Sequence, residues 1–142
     1  MTAVAVLCSG RGSNLQALID AERRGELAPA RLCLVIANVP GARALELAQA
    51  AGLPTRLIPH RDFPAGAEGR AAFEDALLVA LREADSEMVV LAGFMRLLGP
   101  RFLGAFPDRV VNVHPSLLPA FPGLHAQRQA LDYGARVSGC TV

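Results

Sequence analysis

The stretch Ala3-Val4-Ala5-Val6-Leu7-Cys8-Ser9-Gly10-Arg11-Gly12-Ser13-Asn14-Leu15-Gln16-Ala17-Leu18-Ile19-Asp20 decides the fold. Its first six residues form a continuous apolar run, which suits a strand buried on both faces, as in a parallel sheet. The turn at residues 9–14 carries two glycines. Leu15, Leu18 and Ile19 then recur at helical spacing. A buried strand, a tight turn and a helix in direct succession open an alternating α/β chain.

The alternation continues outward from there. Leu32-Cys33-Leu34-Val35-Ile36-Ala37 reads as a second buried strand, and residues 42–51 as a helix closed by Gly52. Residues 55–58 form a short third strand. Residues 59–69, with two prolines and two glycines, predict a surface loop. Residues 70–84 give the longest helix, with Phe73, Leu77, Leu78 and Leu81 on one side. Residues 88–92 form a fourth strand ending at Gly93, 100–106 a short helix and 109–113 a fifth strand. Residues 125–133 are helical, and residues 137–142 begin another extended piece. The expected architecture is a doubly wound parallel sheet in a single domain, residues 1–142, without repeats or linkers.

Composition narrows the function classes. A formal charge of +1 gives no reason to expect a nucleic-acid or membrane surface. All 14 basic residues are arginine, so neither a Schiff-base lysine nor a Walker lysine exists. Cys8, Cys33 and Cys140 are widely spaced and include no CxxC pair, which argues against a disulfide framework and against zinc. No metal is expected, and the thiols read as reduced and buried, as in a cytoplasmic protein. No apolar run approaches 18 residues, and residues 1–8 are too short for a secretory signal.

Three polar clusters fall just after strands, where ligands bind in doubly wound sheets. Gly10, Arg11, Gly12, Ser13 and Asn14 open the first helix, where free amides, the helix dipole and Arg11 attract an anion. The alternative is a simple N-cap by Ser13. A dinucleotide fingerprint fails, because Leu15 stands where a third glycine is required and the second strand ends at Asn38 without an acid. Gly93-Phe94-Met95-Arg96-Leu97-Leu98 offers either an apolar slot for a flat heterocycle or ordinary core packing. Asn112-Val113-His114-Pro115-Ser116-Leu117-Leu118-Pro119 places a carboxamide and an imidazole two residues apart, on one side of an extended backbone, with Val113 turned into the packing. A carboxamide donates to a developing oxyanion and an imidazole moves protons near neutral pH, a pair that suits acyl transfer to an amine. The alternative is a turn Asn beside a surface His. His60 reads as a surface residue, and no carboxylate near His114 in sequence suggests itself as a partner.

Residues 6–17, 91–96 and 112–125 together closely resemble the phosphoribosylglycinamide formyltransferase family, and the resemblance runs from the first strand to Val142. The Asn-x-His-Pro-Ser-Leu-Leu-Pro element at 112–119 is shared among folate-dependent formyltransferases. The Gly-Ser-Asn loop points to glycinamide ribonucleotide as acceptor. The resemblance implies a Rossmann-like N-terminal formyltransferase fold and 10-formyltetrahydrofolate as cosubstrate. It implies that Gly12, Ser13 and Asn14 hold the substrate phosphate. Arg70, Met95, Arg96, Leu97, Leu98 and Asn112 bind the folate, Asn112 meets the formyl oxygen, and His114 is the catalytic acid/base. Small molecules are the expected partners, with the chain a monomer or weak homodimer.

The resemblance also implies that the C-terminal part is missing. The family carries an Asp shortly after the strand that begins near Val137, where it supports the His and orders the catalytic water, and the sequence stops before it. Two alternatives follow: an inactive phosphate-binding fragment, or a hydrolase that releases formate from formyltetrahydrofolate.

Overall fold

The computed structural model describes residues 1–142. Five strands, β1 (Thr2–Cys8), β2 (Ala30–Ala37), β3 (Thr55–Leu57), β4 (Met88–Leu91) and β5 (Val110–Asn112), alternate with α1 (Ser13–Arg23), α2 (Arg43–Ala50), α3 (Ala67–Glu83) and α4 (Pro100–Ala105), and α5 (Ala126–Tyr133) follows. The sheet is parallel, in the order β3-β2-β1-β4-β5. The chain therefore starts at the centre, builds outward through β2 and β3, and returns to the other side of β1 with β4. That reversal opens a crevice between the C-terminal ends of β1 and β4. The chain divides into two compact units, Met1–Val110 and Val111–Val142.

In the first unit, β1 supplies both faces of the core because its side chains alternate. Ala3, Ala5 and Leu7 pack with Phe73, Leu77 and Leu81 of α3 and Phe102 of α4. Val4, Val6 and Cys8 pack with Leu15 and Ile19 of α1 and Ala44 and Ala48 of α2. Helices thus cover both faces, as the apolar strand runs predict. The register of β1 on β2 slips once: Val4 pairs with Leu32 and Ala5 with Leu34. The slip leaves Cys33 and Leu34 on the same face, a bulge that the apolar run did not signal.

Two local expectations change. Helix α3 begins at Ala67, three residues before Arg70, so the surface loop is shorter than residues 59–69 and includes a 3-10 turn at His60–Asp62. Gly69 sits inside that helix because the Pro64 carbonyl occupies the place of a side chain; a Cβ there would lie 1.6 Å from its oxygen. His60 is not a surface residue. It is half-buried, with its ring edge-on to Phe73 at 6.5 Å.

Cys8 is fully buried, and its thiol lies 3.5 Å from the Ile36 carbonyl oxygen. Burial pushes the thiol up from its ordinary value of 9.0 to about 11. The unfolded thiol ionises first, so this group's stabilisation is complete below pH 9.0 and is lost as the pH rises toward about 11. Cys8 is expected to escape iodoacetamide at pH 8 in the folded protein and to be labelled in urea, read by mass spectrometry of its tryptic peptide. Labelling at equal rates in both states would contradict the assignment.

In the second unit, the chain leaves β5 at Asn112 and runs irregularly to α5, which ends at Gly134 in the left-handed conformation (φ 84°). Residues 137–142 form no strand. Their one extended contact is an antiparallel bridge between Thr141 and His114.

Candidate functional site

The first unit carries a cavity of about 300 Å³ in the crevice at the ends of β1 and β4. The Ser9–Asn14 loop lines it, together with Ala92, Gly93 and Met95. Ser9 N–H donates to the Gly93 carbonyl at 3.1 Å, tying the two strand ends together. The structure thus brings the predicted phosphate residues Gly12, Ser13 and Asn14 beside Met95, 81 residues after Asn14 in the chain (95 − 14).

Ser13 is not the N-cap of α1. Gly12 occupies that position in the left-handed conformation (φ 78°, ψ 22°), and no side chain caps the helix. The first turn holds no acidic residue, so its amides and dipole face the cavity without a competing anion from the chain. Ser13 and Asn14 are exposed there, with Arg11 beside them.

Glycine at position 12 is required twice. A side chain at φ 78° is strained, and a Cβ would stand 2.9 Å from Ala44 Cα and 3.1 Å from Leu47 Cδ1 of α2. Gly12→Ala is expected to cost about 2 to 4 kcal/mol of stability, from left-handed strain plus overpacking, and to weaken phosphate binding. Urea denaturation reads the first effect. An unchanged midpoint would show that the loop tolerates the added methyl group.

The other predicted folate residues divide. Met95 and Leu97 are exposed apolar side chains, at 63% and 84%, which leaves them free for a ligand. Arg96 is exposed between them. Leu98 is half-buried, with one side packed against the core. Arg70 is exposed on α3 and does not line the cavity.

A larger depression of about 660 Å³ lies elsewhere in this unit, near Met1, Ala3 and Arg31. It is open, and its Arg31 and Arg82 stand with Asp85 and Glu87. Glu87 already accepts the Ala3 N–H at 2.8 Å. Such a mixed rim at the N-terminal end of β1 selects no ligand, and the crevice at the switch point is the better candidate.

The second unit carries Asn112 and His114. Asn112 is exposed at the end of β5 and His114 is half-buried. Val113 is 38% exposed and does not enter the packing, because it lies past the last residue of the strand. The His114 backbone exchanges two hydrogen bonds with Thr141, at 2.8 and 2.9 Å. Its ring Nε2 lies 2.9 Å from the Phe121 carbonyl oxygen. A carbonyl can only accept, so Nε2 carries a hydrogen, and Nδ1 is the nitrogen left free to exchange a proton. The loop around it is held firmly. Thr141 Oγ1 donates to the Ser116 carbonyl at 2.7 Å, the buried Ser116 hydroxyl donates to the Ala120 carbonyl, and Gln129 Nε2 donates to the Pro122 and Leu124 carbonyls.

Sequence reading missed Thr141 and the Phe121 carbonyl as the groups that orient His114. A backbone acceptor has no side-chain signature, so only the fold reveals it. No group of three or more His, Cys, Asp or Glu is arranged to hold a metal. No helix is long and apolar enough to cross a membrane.

Comparison with known proteins identifies the family. The formyl transferase family matches residues 2–142. The trifunctional purine biosynthetic protein adenosine-3 of Drosophila pseudoobscura is 50% identical over 140 residues, which cover 98% of this chain and 10% of that protein. The phosphoribosylglycinamide formyltransferase of Bacillus subtilis is 39% identical over 142 residues, all of this chain and 70% of that one. The crystal structure of glycinamide ribonucleotide transformylase 1 from Symbiobacterium toebii superposes with a TM-score of 0.92 at 46% identity, covering 99% of this chain and 64% of that one. The chain thus spans a tenth of the first relative's length and roughly two-thirds of the other two. With its matched residues running from β1 to Val142, the chain belongs to the formyl transferase family.

Proposed function

We propose that this chain carries out formyl transfer from 10-formyltetrahydrofolate to the amine of glycinamide ribonucleotide, a step of purine biosynthesis. The observation that carries the reading is the cavity in which an uncapped helix N-terminus meets Met95, from which an exposed and largely apolar segment continues. An anion suits the first and a flat heterocycle the second, which matches a phosphorylated acceptor and a folate donor. The bacterial relative's name states formyl transfer to phosphoribosylglycinamide for that protein. The enzyme is read as cytoplasmic, acting on small molecules as a monomer or weak homodimer.

The roles follow from the groups. Gly12, Ser13 and Asn14 hold the phosphate, and Arg70 and residues 95–98 hold the folate. The amine attacks the formyl carbon, a C–N bond forms, and the carbonyl oxygen takes the negative charge. Asn112 donates its N–H to that oxygen. His114 keeps Nε2–H on the Phe121 carbonyl, so proton traffic runs through Nδ1. It takes the proton that the amine loses and delivers one to the folate nitrogen as the C–N bond to the donor breaks. The folate leaves as tetrahydrofolate.

The test is an assay on the full chain with both substrates. Production of formylglycinamide ribonucleotide that requires both is the expected result. Formate release without the amine acceptor would select a hydrolase. Phosphate-dependent binding without either reaction would select a binding module.

A further inference from the structure

We infer that Asn38 and Glu74 position residues 95–98 for the folate, a role that rests on the formyl-transfer reading. After β4 this segment runs without helix or strand until Pro100. Met95, Arg96 and Leu97 are exposed, so packing alone does not fix them. Two buried polar side chains hold the ends.

At the near end, the Met95 N–H donates to Ser9 Oγ at 2.9 Å. The Ser9 hydroxyl in turn donates to Asn38 Oδ1 at 2.6 Å. Asn38 is 1% exposed at the end of β2, and its Nδ2 lies 3.2 Å from His60 Nδ1. At the far end, Glu74 of α3 is 4% exposed and accepts the Gly99 N–H at 2.8 Å. Gly99 leaves no slack, because a Cβ there would stand 3.2 Å from both Glu74 carboxylate oxygens.

Burying a carboxamide and a carboxylate costs free energy unless each finds partners. Glu74 finds its partner at Gly99, next to this segment, and Asn38 finds Ser9, which itself accepts the Met95 N–H. Neither lines the cavity. They act through Ser9 and through the backbone, so their role is positioning. The segment arrives pinned at Met95 and Gly99, and the side chains between are presented to a ligand without an ordering cost at binding.

The test compares Asn38→Ala and Glu74→Ala with Glu74→Gln, which keeps an acceptor for the Gly99 N–H. Each is measured in the full chain for both KM values, for kcat, for tetrahydrofolate affinity by calorimetry, and for Tm. Ser9→Ala breaks the same relay at a half-buried position and stands in if Asn38→Ala does not fold. The expected result is a rise of about tenfold in the folate KM for the alanine variants, the size of a lost hydrogen bond, with the KM for glycinamide ribonucleotide steady under Glu74→Ala. Glu74→Gln recovers most of it. KM values that move together in step with Tm, or do not move, overturn the inference while leaving formyl transfer intact. If the wild type binds tetrahydrofolate but transfers nothing, the functional reading fails, and weaker tetrahydrofolate binding in the variants still supports positioning. A wild type that binds no folate overturns both.

Discussion

Replacing His114 with alanine is expected to lower kcat for formyl transfer by roughly a hundred- to ten-thousand-fold, the usual worth of a positioned acid/base group. The KM values should change little, because the imidazole is assigned to proton transfer and not to ground-state binding. The pH dependence of kcat should flatten in the variant, because the group assigned to carry the proton is gone. Stability should fall only by about 1 kcal/mol, since the substitution removes one side-chain hydrogen bond, that from Nε2 to the Phe121 carbonyl, and keeps both backbone bonds to Thr141. Steady-state kinetics across pH, with a melt of the same sample, separate these effects. A variant with near wild-type kcat would remove His114 from the chemistry and leave water to carry the proton.

Asn112→Ala should reduce kcat by roughly a hundred- to a thousand-fold, about 3 to 4 kcal/mol of barrier, the cost of losing one donor to an oxyanion. Its signature differs from that of His114. The pH profile should keep its shape while its height drops, because a carboxamide does not titrate. Asn112 is exposed at the end of β5, so its removal should leave the melting temperature within a degree or two. Asn112→Asp offers the sharper contrast. It keeps the size but sets a carboxylate against the developing negative charge, and should be at least as slow as the alanine variant. Activity retained in Asn112→Asp would argue that this side chain does not meet the formyl oxygen.

Some site residues were legible in the sequence because their meaning is local. Gly12 lies in a turn between a buried strand and a helix, and that position made it a candidate for an anion site. Its second duty, making room for Ala44 and Leu47, was hidden because it depends on how α2 packs against the loop. Asn38 was visible as a polar residue at the end of an apolar strand, yet it read only as the absence of an acid. His60 read as a surface group, and Glu74 as one more charge on a helix. Each gained its role from partners far along the chain: Ser9 lies 29 residues before Asn38, and Gly99 lies 25 after Glu74.

By itself the sequence determined the alternation of strand and helix, the parallel doubly wound class, the strand ends that carry polar clusters, and the family resemblance. These follow from hydrophobic period and short motifs, which act over a few residues. The tertiary structure alone decided the bulge at Cys33 and Leu34, the replacement of Ser13 by Gly12 as the helix cap, the half-burial of Leu98 against the core, and the hydrogen on His114 Nε2. The physical reason is common to all four. Each is settled by which groups meet in the folded chain, and hydrogen bonds such as that from Met95 N–H to Ser9, 86 residues apart, leave no trace in a local pattern.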